Sequence, residues 1–340
     1  MVNDSREPIA ESRLHDKHGR AITDVRVSIT DRCNYRCVYC RTGNEGAVYA
    51  ELPRDEYLRM TRILVGMGIE KVRITGGEPL LRRDVVEFVR ELSELRTLAG
   101  HPLDIAITTN GHLLADLATP LKAAGLRRVT VSMDAVDRDE FAKITRVKNG
   151  YDNVLAGIRA AKQAGLEPVK VNCVLLRGFN DDQIIPFAHF AREENVIVRF
   201  IEFMPLEEDR VWTPEIVVPL KEVVARINTE LPLREIEHAR SETARRYAFA
   251  DGRGEIGIIA PVSQPFCGHC SRIRITSDGK LRTCLFSQSD HDLYGVMRRG
   301  ATDTDLRTYI HGVIQKKEAR HHIGEPGFLK PSRSMVHIGG

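Results

Sequence analysis

Hydrophobic and polar residues alternate in short runs along the first two hundred positions, and longer amphipathic stretches separate these runs. Alternation with a period of two is typical of β-strands, and apolar residues at every third or fourth position are typical of helices. Six runs predict strands, at 25–30, 71–75, 104–109, 128–133, 169–176 and 196–204. Five stretches predict the helices between them, at 54–67, 84–98, 111–124, 138–164 and 181–194.

Strands that alternate with helices predict a parallel sheet, because parallel neighbours need a crossover connection and right-handed helical crossovers are the usual solution. With six such repeats, we expect an α/β fold in which the sheet curls into a partial (β/α)6 TIM-like barrel. Functional residues of such barrels lie in the loops that follow the strands. Distinctive motifs occupy these loops: the first cysteine run, Gly76-Gly77-Glu78-Pro79, Asn110-Gly111, Met133-Asp134 and Met204-Pro205.

The pattern changes in the C-terminal third of the chain. Short strands and two further helices, near 220–229 and 303–319, indicate a smaller α+β domain. We therefore predict a barrel domain over residues 1–219 and a C-terminal domain over residues 220–340. The last residues are rich in Gly, Pro and Ser, so we expect a flexible tail without a regular element.

The composition argues against several classes of function. Lys and Arg number 50 and Asp and Glu number 47, which gives a formal net charge of +3. This small charge carries no global signature of a nucleic-acid or membrane partner. Seven cysteines in 340 residues are an odd number at low density, which disfavours a disulfide scaffold. With a polar N-terminus that lacks a signal-peptide core, we expect a cytoplasmic protein with reduced cysteines.

The candidate chemistry begins with three cysteines after the first predicted strand. Cys33, Cys37 and Cys40 form a C-x3-C-x2-C run. Three thiolates can hold three irons of a 4Fe–4S cluster, which ordinarily takes four protein ligands, so one iron would stay open to a small molecule. A zinc site is the alternative, although it would want a fourth ligand and a different spacing.

A second set of three cysteines lies near the other end of the chain. Cys267, Cys270 and Cys284 have the spacing C-x2-C-x13-C. His269 between the first two is an alternative fourth ligand, which would make a closed zinc ribbon. Arg272 and Arg274 then alternate with isoleucines on a predicted strand, and guanidinium groups beside a metal site suit an anionic ligand. The seventh cysteine, Cys173, lies in an apolar run and is interpreted as a buried hydrophobe.

Basic residues also occur inside the predicted barrel strands. A charged side chain there points either to solvent or into the lumen, and the lumen is tolerable only with an anionic partner. The sequence has no G-x-x-x-x-G-K-[ST] phosphate loop, so a nucleotide would be held in another way. The basic candidates are Arg26, Lys71, Arg73, Lys170 and Arg199.

The first cysteine run, followed by the segment 76–79, resembles the radical S-adenosylmethionine (SAM) superfamily. The second cysteine set, the stretch VSITDRCNYRCVYC and the terminal Gly339-Gly340 resemble, within that superfamily, the GTP 3′,8-cyclase family of molybdenum cofactor biosynthesis. The resemblance extends from about Val25 to Gly340. It implies a lyase with two 4Fe–4S clusters and SAM as cofactors, which converts GTP to (8S)-3′,8-cyclo-7,8-dihydroguanosine 5′-triphosphate.

The resemblance also implies roles for individual residues. The first cluster would be held by Cys33, Cys37 and Cys40, and the second by Cys267, Cys270 and Cys284. SAM contacts fall on Tyr39, Gly77, Ser132 and Met204. GTP contacts fall on Arg26, Arg73, Thr108, Lys170, Arg272, Ile273 and Arg274, with Lys71 and Arg199 as further phosphate contacts. No side chain is implied as catalytic, since SAM and the clusters carry the radical chemistry, and Gly339 and Gly340 would assist.

The partners implied are GTP, a second copy of the chain in a homodimer, an external one-electron donor, and cyclic pyranopterin monophosphate synthase as receiver of the product. One departure from the family pattern is Arg41-Thr42, which replaces the usual Met-Pro after Cys40. Two other functions compete. One is a radical SAM enzyme that modifies a peptide, and the other is a zinc-containing protein that binds nucleic acid through Arg272 and Arg274.

Overall fold

The computed structural model of the protein describes residues 13–40, 48–207 and 212–339. Its strands are β1 Asp24–Ser28, β2 Lys71–Thr75, β3 Asp104–Thr109, β4 Arg128–Ser132, β5 Lys170–Leu175, β6 Ile197–Glu202, β7 Leu233–Ile236, β8 Arg245–Phe249, β9 Glu255–Ile259, β10 Arg272–Ile275 and β11 Leu281–Arg282. Its helices are α1 Arg54–Val65, α2 Val85–Ser93, α3 Leu114–Ala123, α4 Arg138–Thr145, α5 Gly150–Gln163, α6 Ile184–Glu193, α7 Leu220–Asn228, α8 Leu293–Arg298, α9 Asp303–Ile314 and α10 Met335–Ile338.

The strands form one sheet in the order β11-β10-β1-β2-β3-β4-β5-β6-β9-β8-β7. Neighbours from β1 to β6 are parallel and follow the chain order. Strands of the C-terminal third extend both edges, because β10 pairs in parallel with β1 and β9 pairs in parallel with β6. The predicted α/β class, a partial barrel with a smaller C-terminal α+β part, is confirmed. The division at residue 219 stays a prediction.

Alternation along each barrel strand separates the core from the lumen. In β1, Val25 and Val27 are fully buried in the layer that the helices cover, whereas Arg26 between them lines a cavity on the other face. In β2, Val72 and Ile74 are buried in the same layer and Arg73 lines the cavity. The period-two pattern therefore sends aliphatic groups outward to the helices and basic groups inward.

The single helix predicted over 138–164 is wrong, because the chain forms α4 and α5 there. Arg146 follows α4 with φ +60°, a left-handed conformation that ends a helix. At the start of α5, Gly150 packs so closely that a Cβ would lie 2.8 Å from Tyr35 Oη. The turn residues Asn149-Gly150 were the signal for this break.

The prediction of a tail without regular structure is also wrong. Residues 335–338 form the short helix α10, and Ile338 is fully buried. Ile338 joins Leu206, Phe286 and Ile323 in a small apolar cluster apart from the main core. Apolar burial therefore outweighs the local composition of this segment. Within the described ranges, no helix combines the length and apolarity that crossing a bilayer requires.

Candidate functional site

A cavity of about 610 Å³ lies on the lumen side of the sheet. It brings together predicted site residues from both ends of the sequence. Those that line it are Arg26, Cys33, Cys37, Tyr39, Cys40, Lys71, Arg73, Gly77, Thr108, Ser132, Lys170, Arg199, Met204, Cys267, Cys270, Arg272, Arg274 and Cys284. Ile273 differs from these residues, because it alternates with Arg272 and Arg274 and its side chain is therefore buried in the hydrophobic core; its contact with GTP stays a prediction. Gly340 and Arg41-Thr42 lie outside the described residues.

The first cysteine loop leaves β1 and packs against the end of α4. Backbone amides of Arg36 and Val38 donate to the carbonyls of Thr145 and Ile144, at 3.1 and 3.0 Å. Cys33 Sγ accepts from the Tyr35 amide at 3.4 Å and from Asn110 Nδ2 at 3.9 Å. The three thiols thus face the cavity from one short loop whose backbone is fixed by the neighbouring helix.

The Gly76–Pro79 motif, residues 76–79, supports this loop from β2. A Cβ on Gly77 would lie 2.4 Å from the carbonyl oxygen of Arg32, so only glycine allows the two backbones to approach. The Glu78 carboxylate accepts from Asn110 N at 2.6 Å and Thr109 Oγ1 at 2.7 Å. Burial raises the pKa of Glu78 to about 7. Glu78 therefore links the motif to the end of β3, a role that the sequence did not reveal.

Asp134, directly after β4, is a second residue to which the sequence assigned no role. Tyr39 Oη donates to Asp134 Oδ2 at 2.6 Å, and the Val174 amide donates to Oδ1 at 2.8 Å. Burial raises the pKa of Asp134 to about 6 and that of Tyr39 well above its usual value. The Met133-Asp134 motif at the end of a barrel strand was the only signal for this contact.

The second cysteine set lies beside β10 and β11 and lines the same cavity. Cys267 is in a short 3-10 turn, Cys270 precedes β10 and Cys284 follows β11. Burial would raise the pKa of the Cys270 thiol, but the charges of Arg272 and Lys317 outweigh it and bring that pKa to about 7. Arg272 Nη2 lies 3.5 Å from Cys270 Sγ. These cations favour the thiolate form of Cys270.

The thiol donors of each cysteine set fit an iron–sulfur cluster. Each set offers three thiols, the number that holds a 4Fe–4S cube with one iron open. His269, the alternative zinc ligand, is exposed and does not line the cavity. In the described part of the chain, no three His, Cys, Asp or Glu side chains are gathered closely enough to bind a single metal ion.

A row of guanidinium groups crosses the cavity wall next to the second cysteine set. Arg274, Arg26 and Arg73 pair in register on β10, β1 and β2. Burial, together with the neighbouring arginines, lowers the pKa of Arg26 to about 10 and that of Arg199 to about 9. Arg26 Nε has no hydrogen-bond partner among the described residues. Like charges held side by side in a buried wall indicate a site for an anion.

Hydrogen bonds orient Arg73 within this wall, and Lys170 adds a further basic group to it. Arg73 Nη1 donates to the hydroxyls of Thr108 and Thr130 at 3.3 and 3.2 Å, which aims its guanidinium along the lumen. Burial and the nearby charge of Arg199 lower the pKa of Lys170 to about 8. The protonated form of such a lysine is stabilised when an anion binds beside it.

The C-terminal tail ends beside the arginine row. Arg274 donates to the carbonyl oxygen of Gly339, which has φ +82° and so close a contact that a Cβ would lie 2.4 Å from Thr75 Oγ1. Arg333 fixes the tail, because it donates to both carboxylate oxygens of Asp278 at 2.8 and 2.9 Å and stacks over Tyr49. Only glycine satisfies both demands at position 339.

The chain resembles two sequence families in succession. Residues 27–191 match the radical SAM superfamily, and residues 196–323 match the family described as Molybdenum Cofactor Synthesis C. The GTP 3′,8-cyclase of Moorella thermoacetica is 42% identical over 96% of this chain and 100% of that protein. The GTP 3′,8-cyclase of Rhodopirellula baltica is 42% identical over 98% of this chain and 93% of that protein.

The fold also matches a solved structure. Streptococcus suis SuiB bound to S-adenosylmethionine superposes with a TM-score of 0.62 at 15% identity. The match covers 88% of this chain and 69% of that one. At this identity the likeness concerns the fold alone.

Proposed function

The chain belongs to the GTP 3′,8-cyclase family within the radical SAM superfamily, and we propose that it converts GTP to (8S)-3′,8-cyclo-7,8-dihydroguanosine 5′-triphosphate, the first step of molybdenum cofactor biosynthesis. The observation that carries the proposal is a cavity lined by two three-cysteine sets and by a row of buried arginines. A nucleotide triphosphate is the kind of ligand that such a row accommodates.

We propose that Cys33, Cys37 and Cys40 hold a 4Fe–4S cluster whose open iron takes SAM. Bound there, the reduced cluster and SAM would supply the radical chemistry that removes hydrogen from the substrate. The protein side chains position the cofactor: Tyr39, Gly77, Ser132 and Met204 line this part of the cavity. Asp134 keeps Tyr39 in place through their 2.6 Å hydrogen bond.

We propose that Cys267, Cys270 and Cys284 hold a second 4Fe–4S cluster, beside which the guanine of GTP binds. The triphosphate then meets the basic wall, where forked guanidinium groups bind phosphate oxygens in pairs. Its members are Arg26, Lys71, Arg73, Lys170, Arg199, Arg272 and Arg274. Thr108 orients Arg73 and contributes a hydroxyl to the same wall.

The decisive experiment is anaerobic incubation of the reconstituted, reduced protein with SAM and GTP, followed by identification of the products. We expect 5′-deoxyadenosine and the cyclised GTP to appear together in equal amounts. Formation of 5′-deoxyadenosine only with a peptide substrate would contradict the proposal. Stoichiometric zinc instead of about eight irons per chain would contradict it as well.

We also propose that the tail assists the reaction by placing Gly339 beside Arg274. Arg333→Ala should release the tail, because Arg333 pairs with Asp278 and Asp290 from a largely buried position. The expected result is faster amide hydrogen exchange over 335–338 together with slower product formation. Arg226→Ala is the matched control, since Arg226 also pairs with two carboxylates, Asp181 and Glu222, but outside the cavity.

Four further expectations from the sequence remain predictions. They are a homodimer, an external one-electron donor, transfer of the product to cyclic pyranopterin monophosphate synthase, and a cytoplasmic location. Size measurement of the reconstituted protein tests the first of these.

A further inference from the structure

A lysine at the end of α9 occupies an unusual place for its charge. The side chain of Lys317 is 1% exposed and is among the largest fully buried side chains of the described residues. Its ammonium donates to the carbonyl oxygens of Arg272, at 2.9 Å, and of Thr283. Within the described ranges, no carboxylate lies within ion-pair distance of Lys317. A buried ammonium of this kind is strongly unfavourable unless a negative charge lies close to it.

The surroundings of Lys317 identify where that negative charge belongs. Arg272 comes two residues after Cys270, and Thr283 directly precedes Cys284, so Lys317 joins the two chain segments that carry these cysteines. The neighbouring Glu318 carboxylate accepts hydrogen bonds from the hydroxyls of Thr283 and Ser287, at 2.7 and 2.5 Å, and not from the Lys317 ammonium.

Arg20 offers an internal comparison on the other side of the same set. Its Nη1 donates to the carbonyl oxygen of Cys267 at 2.8 Å and to that of Ala319 at 2.9 Å. Its Nε, however, is paired with the buried Asp16 at 2.6 Å. Arg20 and Asp16 together are neutral and act as a structural brace. Lys317 makes similar carbonyl contacts but, within the described ranges, has no carboxylate at ion-pair distance.

We propose that Lys317 is the counter-charge of the metal cluster at the second cysteine set and that it raises the reduction potential of this cluster. The inference rests on the proposed second cluster. One-electron reduction adds a negative charge to a thiolate-bound cluster, and a fixed cation nearby stabilises the reduced form. Because Lys317 contacts backbone carbonyls, it also positions both segments, but only its charge acts on the potential.

The test is a potentiometric titration followed by electron paramagnetic resonance. It uses the full chain with Cys33→Ala, Cys37→Ala and Cys40→Ala, so that only the second cluster gives a signal. Chemical reductants of stated potential supply the electron. In this background, Lys317→Met should shift the midpoint potential of the second cluster to more negative values, whereas Lys317→Arg should leave it near that of the parent.

A matched control is Lys280→Met. Lys280 lies between β10 and β11, and its charge is paired with Asp292 at 2.8 Å, so this substitution should not move the potential. A cluster that is present but has the same potential in Lys317→Met would overturn the inference and leave the proposed function intact. A parent variant that retains no iron–sulfur signal would overturn both. If Lys317→Met loses its cluster, the inference requires Lys317→Arg to retain iron, and equal loss in both variants overturns it.

Discussion

The two cysteine sets face the same cavity from opposite electrostatic surroundings. The first set lies beside Asp134 and Glu78, buried carboxyl groups whose pKa values burial raises to about 6 and about 7. The second set lies beside Arg272, Arg274 and Lys317. The sets also differ in how the chain builds them, because one loop carries the first set and two separated segments carry the second.

This contrast explains how one cavity could hold two different guests. A cationic sulfonium compound is favoured beside carboxyl groups, and a polyanionic triphosphate is favoured beside arginines. If the two ligands exchanged places, like charges would lie together in a buried space, which is unfavourable in free energy. The polarity of the cavity, and not the thiol count alone, therefore supports the proposal that SAM binds at the first set and GTP at the second.

The largest expected effect comes from removing one thiol of either set. Cys37→Ala should abolish cleavage of SAM altogether, because two thiolates no longer hold the first cluster. Cys270→Ala should abolish cyclisation of GTP and yet retain the spectroscopic change that SAM causes at the first cluster. Both variants are compared by product analysis and electron paramagnetic resonance. A SAM response lost equally in both would break the division of roles between the sets.

The next effect concerns the arginine row. Arg73→Ala should weaken GTP binding by about 10- to 100-fold, since a hydrogen bond to a charged group contributes roughly 1.5–3 kcal/mol. The affinity for SAM should stay unchanged. Equilibrium binding under anaerobic conditions measures both. Arg138→Ala is the matched control, because Arg138 on α4 forms an exposed pair with Asp152 on α5. Equal weakening of SAM binding would argue against a cavity with separate acidic and basic sides.

A smaller effect is expected at Asp134, on the acidic side of the cavity. Asp134→Asn should weaken SAM binding by about 2- to 10-fold, because the amide removes the negative charge and keeps only one of the two oxygens that accept from Tyr39 and Val174. GTP binding should not change. Titration of the reconstituted protein with SAM provides the measurement. Unchanged SAM affinity would show that Asp134 acts on Tyr39 alone.

The smallest effect is a proton taken up when GTP binds. The free cavity holds the pKa of Lys170 at about 8, below its ordinary value of 10.5, so the folded protein releases this proton above about pH 8. The unfolded chain keeps it up to about pH 10.5, and stability should therefore rise with pH in this window as far as Lys170 contributes. Bound triphosphate would raise the pKa again.

Calorimetry in two buffers of different ionisation enthalpy, near pH 8.5, should therefore show proton uptake on GTP binding. In Lys170→Met the uptake should fall. If the uptake is the same in both proteins, Lys170 does not face the phosphates, and the basic wall is smaller than the arginine row suggests.

Several elements of the fold followed from local pattern. The six barrel strands came from period-two alternation, and the structure places them close to the predicted ranges. The break between α4 and α5 was missed, because amphipathic periodicity continues across Asn149-Gly150 while the close approach of Tyr35 to Gly150 depends on contacts distant in sequence. The tail was missed for the same reason, since its helix depends on burial against Phe286 and Ile323.

The sequence by itself determined the parallel barrel, the two cysteine sets and the basic residues of the strands, because spacing and periodicity are properties of the linear chain. Only the tertiary structure decided that Ile273 packs in the core, that Asp134 meets Tyr39, and that Lys317 is buried beside the second set. Burial and charge compensation depend on which distant segments surround a side chain. The electrostatic polarity of the cavity therefore became apparent only once the strands were assembled.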